Sequence, residues 1–408
     1  MTQGLGNKRP VDRNGKATPI WIEQLKLSHF RNYASLKMLT DQRHVVLTGE
    51  NGAGKTNLLE AVSFLSPGRG LRRTSYDKVA QQRAANGNDR SDPLAGTWAV
   101  HVEMQGAEGP VEIGTGLQGV NGHGAPDTQR KVHINGAQAR SSDALLEHSR
   151  ILWLTPAMDG LFTGAAGDRR RFLDRMVLAI DPSHGRRVND FEKAMRSRNK
   201  LLEDSGANAS WLDAIEGQMA ETGVAVAFAR GELVALLRGI IAKGPAGPDA
   251  PFPNADITLE GTLEDLLLQG AAADLEDNYR ALLARSRPRD RAAGRTLEGP
   301  HRSNLAVRHG PKNMEAALCS TGEQKALLTG LVLAHAQLVG DVSGMTPILL
   351  LDEIAAHLDE HRRSALFDLI DTIGCQAWMT GTDRPMFNSL GERARFFQVA
   401  SGQVEEAG

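Results

Sequence analysis

Gly49-Glu50-Asn51-Gly52-Ala53-Gly54-Lys55-Thr56 follows directly on the apolar run Val45-Val46-Leu47-Thr48 and leads into Asn57-Leu58-Leu59-Glu60-Ala61-Val62. The order is short buried strand, glycine-rich turn, then a helix with Leu58, Leu59, Val62 and Leu65 on one side. The turn has the spacing G-x-x-x-x-G-K-T. Glycines let the backbone curl until successive N–H groups point inward at phosphate oxygens. The helix that follows adds the partial positive charge of its N-terminus. Lys55 is spaced to reach the β- and γ-phosphates, and the Thr56 hydroxyl to ligate Mg²⁺. Gly49, Glu50, Asn51, Gly52, Ala53, Gly54, Lys55 and Thr56 are thus the expected cradle of a nucleoside triphosphate, ATP. A glycine-rich turn that happens to precede Lys-Thr would lack this strand–loop–helix setting.

A second element lies far downstream. Pro347-Ile348-Leu349-Leu350-Leu351 is a continuous apolar run of the kind found in a fully buried parallel strand, and it stops at Asp352-Glu353. Alone, an acidic loop after a core strand is common. With a phosphate loop in the same chain, Asp352 is expected to hold Mg²⁺ through water, and Glu353 to orient or deprotonate the attacking water. A third element, Cys319-Ser320-Thr321-Gly322-Glu323-Gln324-Lys325, opens an apolar helical stretch over 321–339. Ser320 and Glu323 form a capping box, and a well-capped helix N-terminus is also an anion site.

The order Ser-x-Gly-x-Gln ahead of the acidic strand resembles the LSGGQ signature of ABC-type ATPases, with Thr321 in place of the first glycine. The likeness extends further. His29-Phe30-Arg31-Asn32-Tyr33 follows the first strand-like run, as in SMC heads. Pro67-Gly68-Arg69-Gly70-Leu71-Arg72, Leu154-Thr155-Pro156, Leu161-Phe162, Arg169-Arg170-Arg171-Phe172-Leu173-Asp174 and Gly299-Pro300-His301-Arg302 resemble blocks of the RecF family, and Asp359 stands where a D-loop aspartate belongs. The resemblance covers about residues 20–400.

This resemblance implies an α/β fold: an ABC-type P-loop ATPase head with a mixed sheet and an antiparallel β subdomain, plus a mainly α-helical second lobe and no long coiled coil. It implies Glu353, Asp352 and Lys55 as catalytic groups, and Thr56 and Asp352 as Mg²⁺ ligands. Nucleotide contacts are implied for Arg31 and Asn32, and, in trans from a second copy, for Ser320, Gly322 and Gln324. The implied activity is weak ATP hydrolysis used as a switch, in which an ATP-dependent homodimer clamps DNA at gaps or junctions and hydrolysis releases it. RecR and RecO are the implied partners, in loading recombinase during repair and replication-fork recovery. Three departures speak against fast, transporter-like turnover. No switch histidine follows the acidic strand, where Thr382 is the nearest candidate. Ala157 follows the Thr-Pro pair, and no Q-loop glutamine is evident.

Composition bounds the rest. The 408 residues carry a net charge of −2, with 41% hydrophobic and 24% charged residues. The chain is therefore globular and exerts no global pull on nucleic acid. Any DNA surface must come from local clusters. Residues 168–200 hold ten Lys/Arg against five acids, and 278–302 hold seven Arg against two. A third cluster comprises Arg69, Arg72, Arg73, Lys78 and Arg83. Each cluster alone reads more readily as a solvated helix face or internal ion pairs. Cys319 and Cys375 form no zinc or disulfide pattern. No signal layout is seen, and the apolar stretch Gly223–Ala242 is interrupted by Arg230, Glu232 and Arg238. A cytoplasmic protein without a membrane span is expected.

The expected organisation is a disordered tail (1–19), one half of the ATPase lobe (20–165) with an antiparallel meander over 95–140, a helical lobe (166–298) and the other half of the ATPase lobe (299–408). Helices are expected at 168–180, 185–204, 209–243 and 271–286. An ABC transporter ATPase subunit is the alternative; it requires the missing switch histidine and Q-loop. A nuclease linked to such a head requires a further acidic metal cluster, and the residues after Asp383 supply none.

Overall fold

The computed structural model describes residues 16–81, 96–118, 128–204, 208–244, 250–269 and 274–407. The chain forms two compact units, one of residues 1–158 and 335–408 and one of residues 159–334. In chain order the strands are β1 (Trp21–Phe30), β2 (Tyr33–Leu39), β3 (His44–Thr48), β4 (Trp98–Gly106), β5 (Gly109–Leu117), β6 (Lys131–Ile134), β7 (Ala137–Gln138), β8 (Ile151–Leu154), β9 (Ala255–Glu260), β10 (Asn304–His309), β11 (Met314–Glu315), β12 (Ile348–Leu351), β13 (Ala377–Gly381), β14 (Ala394–Ala400) and β15 (Gln403–Glu406). The helices are α1 (Lys55–Ser63), α2 (Ala166–Ile180), α3 (His184–Glu203), α4 (Ala209–Lys243), α5 (Thr262–Gln269), α6 (Leu275–Ala293), α7 (Thr321–Ser343) and α8 (Glu360–Ile373).

The first unit holds two sheets. One is antiparallel, in the order β2-β1-β4-β5-β6-β7; its β4–β7 segment is the meander the sequence predicts. Its edge strand β2 is not foreseen, because most of its side chains are exposed and give no apolar period. The other sheet runs β15-β14-β3-β13-β12-β8, parallel throughout except for the terminal β14–β15 hairpin. Its inner strands β3, β12 and β13 and its edge strand β8 are buried along their whole length, as a parallel sheet covered on both faces requires. Leu58, Leu59 and Val62 of α1 join Leu25, Leu47, Trp98 and Trp378 in one core. Each such side chain contributes roughly 1.5–3 kcal/mol by leaving water. Of the expected tail, residues 1–15 lie outside the described residues. Order begins before Ile20, since Thr18 bridges Met345 and donates its N–H to Gly344 O at 2.8 Å.

The second unit contains α2 to α6, the start of α7, and a sheet in the order β11-β10-β9. Helices α2, α3 and α4 lie within two residues of their expected ends. Helix α6 extends past the expected end at 286, through Pro288, while 271–273 lie outside the described residues. The sheet corrects two expectations. β9 was missed, its six residues being flanked by loop-forming Asn254 and Gly261. Pairing of β9 with β10 (Ile257↔Val307) draws 299–334 into the second unit, where the sequence reading had assigned it to the ATPase lobe. At the unit's centre Arg198 is fully buried. It donates to Glu216 Oε1 at 2.9 Å, Asp290 Oδ2 at 2.7 Å, Thr296 Oγ1 at 2.9 Å and Leu283 O at 2.8 Å.

Helix α7, rather than the Gly223–Ala242 stretch of α4, is the helix long and apolar enough to cross a membrane by length and composition among the described residues. Its Leu327, Leu331, Ala336 and Val339 are buried in the fold, as in the core helix of a globular protein.

Candidate nucleotide-binding site

The loop 49–56 joins β3 to α1 with left-handed glycines at three points: Gly49 (φ 148°), Gly52 (φ 85°) and Gly54 (φ 115°). Two of them have no room for a side chain. A Cβ on Gly49 would collide with the Val399 carbonyl of the neighbouring β14, and one on Gly54 with the side chains of Asn32 and Tyr33. Asn32 and Tyr33 in turn fasten the loop. Asn32 Nδ2 donates to Ala53 O at 3.1 Å, Tyr33 OH donates to Gly54 O at 3.1 Å, and Asn57 Nδ2 donates to Asn32 Oδ1 at 2.7 Å. Glu50 and Asn51 are exposed at the loop's tip.

The Lys55 ammonium is folded into the loop, donating to Gly49 O at 2.5 Å and Glu50 O at 2.9 Å. Burial lowers its pKa from the ordinary lysine value, and the charges of Glu353 and Asp352 pull the other way. Thr56 Oγ1 donates to Asp352 at 2.9 Å (Oδ1) and 3.2 Å (Oδ2). The loop strand and the acidic strand are not neighbours: β13 lies between β3 and β12. From β13, Thr380 Oγ1 donates to Asp352 Oδ1 at 2.8 Å and accepts the Glu353 N–H at 2.9 Å. Glu353 is held in the left-handed region at φ 54°. For a residue with a Cβ that conformation costs about 1–2 kcal/mol, so the surroundings impose it.

The donor set suits Mg²⁺. A hydroxyl and a carboxylate stand side by side, both hard oxygen ligands, and this ion takes one or two protein ligands with phosphate and water completing its octahedron. Thr380 is the member of the site that sequence reasoning missed; Thr382, the residue singled out there, is exposed and donates to its neighbour Asp383. Only strand order could reveal this, since β13 becomes the intervening strand through the fold.

Other expected residues fall differently. Arg31 is engaged at every guanidinium nitrogen: it holds buried Glu60 at 2.8 and 2.6 Å, and also Thr74 and the Lys78 carbonyl. It therefore ties the β1–β2 turn to α1, with four of its five N–H donors engaged. Asp359 caps α8 by accepting from the Arg362 N–H at 2.8 Å.

In the second unit the capping box is formed. Ser320 donates its N–H and its hydroxyl to Glu323 Oε2, each at 2.9 Å. The Lys312 ammonium and these bonds pull the Glu323 pKa down to about 2. Space is open around the Gly322 α-carbon. Gln324 is a correction: its side chain turns inward and donates to Cys319 O at 2.9 Å. Counting Ser-x-Gly-x-Gln picked it out, but a helix starting at Thr321 puts that position on the buried side and leaves Glu323 at the exposed end.

The basic clusters stay mostly at the surface, six of the seven arginines in 278–302 being exposed, while other members are tied within the fold. Arg169 donates to Asn304 Oδ1 and to backbone carbonyls, Arg187 pairs with Asp181, Arg198 with Glu216 and Asp290, and Arg287 with Glu216 and Asp213. Arg72 is drawn to Asn57 and Glu60. Arg83 lies outside the described residues.

Comparison with known proteins agrees with this geometry. The family model described as RecF/RecN/SMC N terminal domain matches residues 21–405. A Rhizobium johnstonii protein named DNA replication and repair protein RecF is 57% identical over 385 residues, covering 94% of this chain and 98% of its own length. The protein of that name from Brucella suis is 58% identical over 384 residues, covering 94% and 95%. Among solved structures, the recombination mediator protein RecF-ATPrS of the RecFOR pathway superposes with a TM-score of 0.81 at 20% identity, covering 96% of this chain and all of that one. The Smc head domain from Pyrococcus furiosus, bound to the C-terminal domain of ScpA, gives 0.50 at 15% identity, covering 95% and 96%. At these identities the two structures speak for the fold alone.

Proposed function

The chain belongs to the RecF family of SMC-type ATPase heads, and from that premise we propose that it is an ATP-switched DNA-binding protein of replication and repair. The observation that carries this reading is the convergence of Lys55, Thr56, Asp352, Thr380 and Glu353 on one loop-and-strand face of the first unit. Lys55 meets the β- and γ-phosphates, and Thr56 with Asp352 holds Mg²⁺. Glu353 orients the water that attacks the γ-phosphate. Ser320 and Gly322 act on the nucleotide of a second copy, so ATP joins two chains and hydrolysis parts them. The missing switch histidine fits slow turnover. A cytoplasmic protein that binds gapped or junction DNA and works with RecO and RecR, as the RecFOR pathway of the structural relative suggests, completes the reading. A transporter subunit is not favoured, because the relatives along nearly the whole chain are named for DNA replication and repair.

The test is sedimentation with ATP and Mg²⁺, with and without a gapped duplex. The parent should dimerise with ATP and bind DNA as the dimer. Glu353→Gln should retain the ATP-bound dimer without turnover, and Lys55→Met should lose at least tenfold in nucleotide affinity and fail to dimerise. Dimerisation and DNA binding that ignore ATP would sink the proposal.

A further inference from the structure

The turn Gly299-Pro300-His301-Arg302-Ser303 takes no part in the nucleotide site, yet two arginines of the second unit grip its ends. Arg230 of α4 donates Nη1 to Pro300 O at 2.6 Å, and Arg170 of α2 donates Nη1 to Ser303 O at 2.8 Å. The Arg302 N–H closes the turn on Gly299 O at 2.9 Å. Gly299 sits at φ 134°, where a Cβ would run into the Tyr279 hydroxyl. The turn is therefore rigidly built, and its exposed residue is a third arginine, Arg302.

Charge around this turn is not balanced. Asp174 is taken by Arg230, at 2.8 and 2.9 Å, and by His184 at 2.9 Å. Glu298 is held by Arg289 and Thr262, and Asp168 by Arg171. Glu264 is buried on Ser303, and burial raises its pKa, which weakens it as a counter-ion. Among the described residues Arg170 and Arg302 have no ion pair. They are near enough that, after burial, the charges of Arg230 and Arg302 are the next largest causes lowering the Arg170 pKa. His301 in the turn bonds Thr296 O through Nε2 at 3.0 Å, while its Nδ1 is buried without a partner. Like charges collected this way are relieved by an anion.

We propose that this turn, with Arg170 and Arg302, is a phosphate-contact point for duplex DNA. The proposal rests on the DNA-binding reading above and adds to it the residues that touch the backbone. An exposed turn suits a polyanion, which gathers affinity from many open contacts. A small free phosphate is better served by an enclosed pocket. The cavity found in this unit, about 270 Å³, is lined by other residues, among them Arg169, Glu260, Arg308 and Glu315.

The experiment measures binding of the full chain with ATP to a fluorescent duplex across a salt series. Arg302→Ala should weaken binding several-fold and reduce the slope of log K against log salt by about one. Arg302→Glu should weaken it at least tenfold, and Arg302→Lys should keep most of the affinity. Nucleotide affinity and ATP-driven dimerisation should be unchanged in all three. Arg302→Cys should cross-link to a duplex carrying bromoacetamide on its backbone, whereas Arg186→Cys, also exposed on α3, should not. If the parent binds the duplex and Arg302→Glu binds it equally with the same slope, this assignment is overturned while the DNA-binding reading stands. Loss of dimerisation in Arg302→Glu would overturn it in favour of a subunit contact. If the parent binds no DNA in any nucleotide state, the broader reading fails and takes this one with it.

Discussion

Thr380 Oγ1 donates to Asp352 Oδ1 at 2.8 Å from the strand that separates the phosphate-loop strand from the acidic strand. The same oxygen accepts the Glu353 N–H, so one hydroxyl fixes both the carboxylate expected to hold metal and the backbone of the residue expected to orient water. Thr380→Val keeps the shape and removes both bonds. It leaves a buried N–H unpaired, which costs about 1–3 kcal/mol. ATP binding should survive, because Lys55 and the loop are untouched, while turnover should fall at least tenfold. A phosphate-release assay beside a nucleotide-binding titration separates the two; unchanged turnover would remove Thr380 from the site.

Action in trans is tested through Ser320. If its capping box serves only its own helix, Ser320→Arg should cost about 1 kcal/mol, the usual worth of an N-cap, and ATP hydrolysis should persist. If the signature closes on a second copy, ATP should still bind but dimerisation and hydrolysis should both fail. Mixing Ser320→Arg with Lys55→Met then creates one intact composite site per mixed dimer. Partial ATPase activity from two inactive proteins is the expected result.

Arg198 offers a test of the second unit. It is fully buried with Glu216 and Asp290. Arg198→Met removes the one charge that, among the described residues, reaches both carboxylates and should destabilise the unit by about 3–5 kcal/mol. Denaturant unfolding followed by a probe in α3 or α4 should show a shifted midpoint. A midpoint close to the parent's would mean that Arg287, also bonded to Glu216, suffices alone.

His44 sets a pH limit on the parallel sheet. Its Nδ1 accepts the Ala377 N–H at 3.2 Å, so the ring proton lies on Nε2, which faces Asp371 Oδ1 at 2.8 Å. Burial lowers its pKa below the ordinary 6.5; Asp371 opposes that shift and Arg393 adds to it. The unfolded chain therefore takes up the proton first. Stability from this residue is complete above about pH 6.5 and declines as the pH falls through the interval down to the folded-state value. His44→Gln should flatten the loss of stability as the pH falls below about 6.5, as read from thermal unfolding at each pH.

Much of this was legible in the chain itself, for reasons that differ from residue to residue. The 49–56 loop could be read because its glycines answer to local backbone demands. The acidic strand could be read because complete burial leaves an unbroken apolar run. The capping box could be read because it spans only three positions. Thr380 could not, since its role depends on which strand the sheet places beside β12. The inward turn of Gln324 depends on where the helix begins. The arginines at 169, 198 and 287 resembled a DNA surface because a charge run does not reveal whether its partners lie across the fold.

The place of β3 between β13 and β14 also fixes an order of events during synthesis. Both neighbours of the phosphate-loop strand come from residues beyond 376, whereas the second unit is complete once residue 334 has been made. The inserted unit can thus reach its native state first, while β3 waits, apolar on both faces and unpaired on both edges. Domains generally fold as units in the order of synthesis, but here the earlier part of the chain must close last. Pairing across more than 300 residues makes that step slow, and it leaves the apolar β3 segment without its strand partners until the final strands arrive.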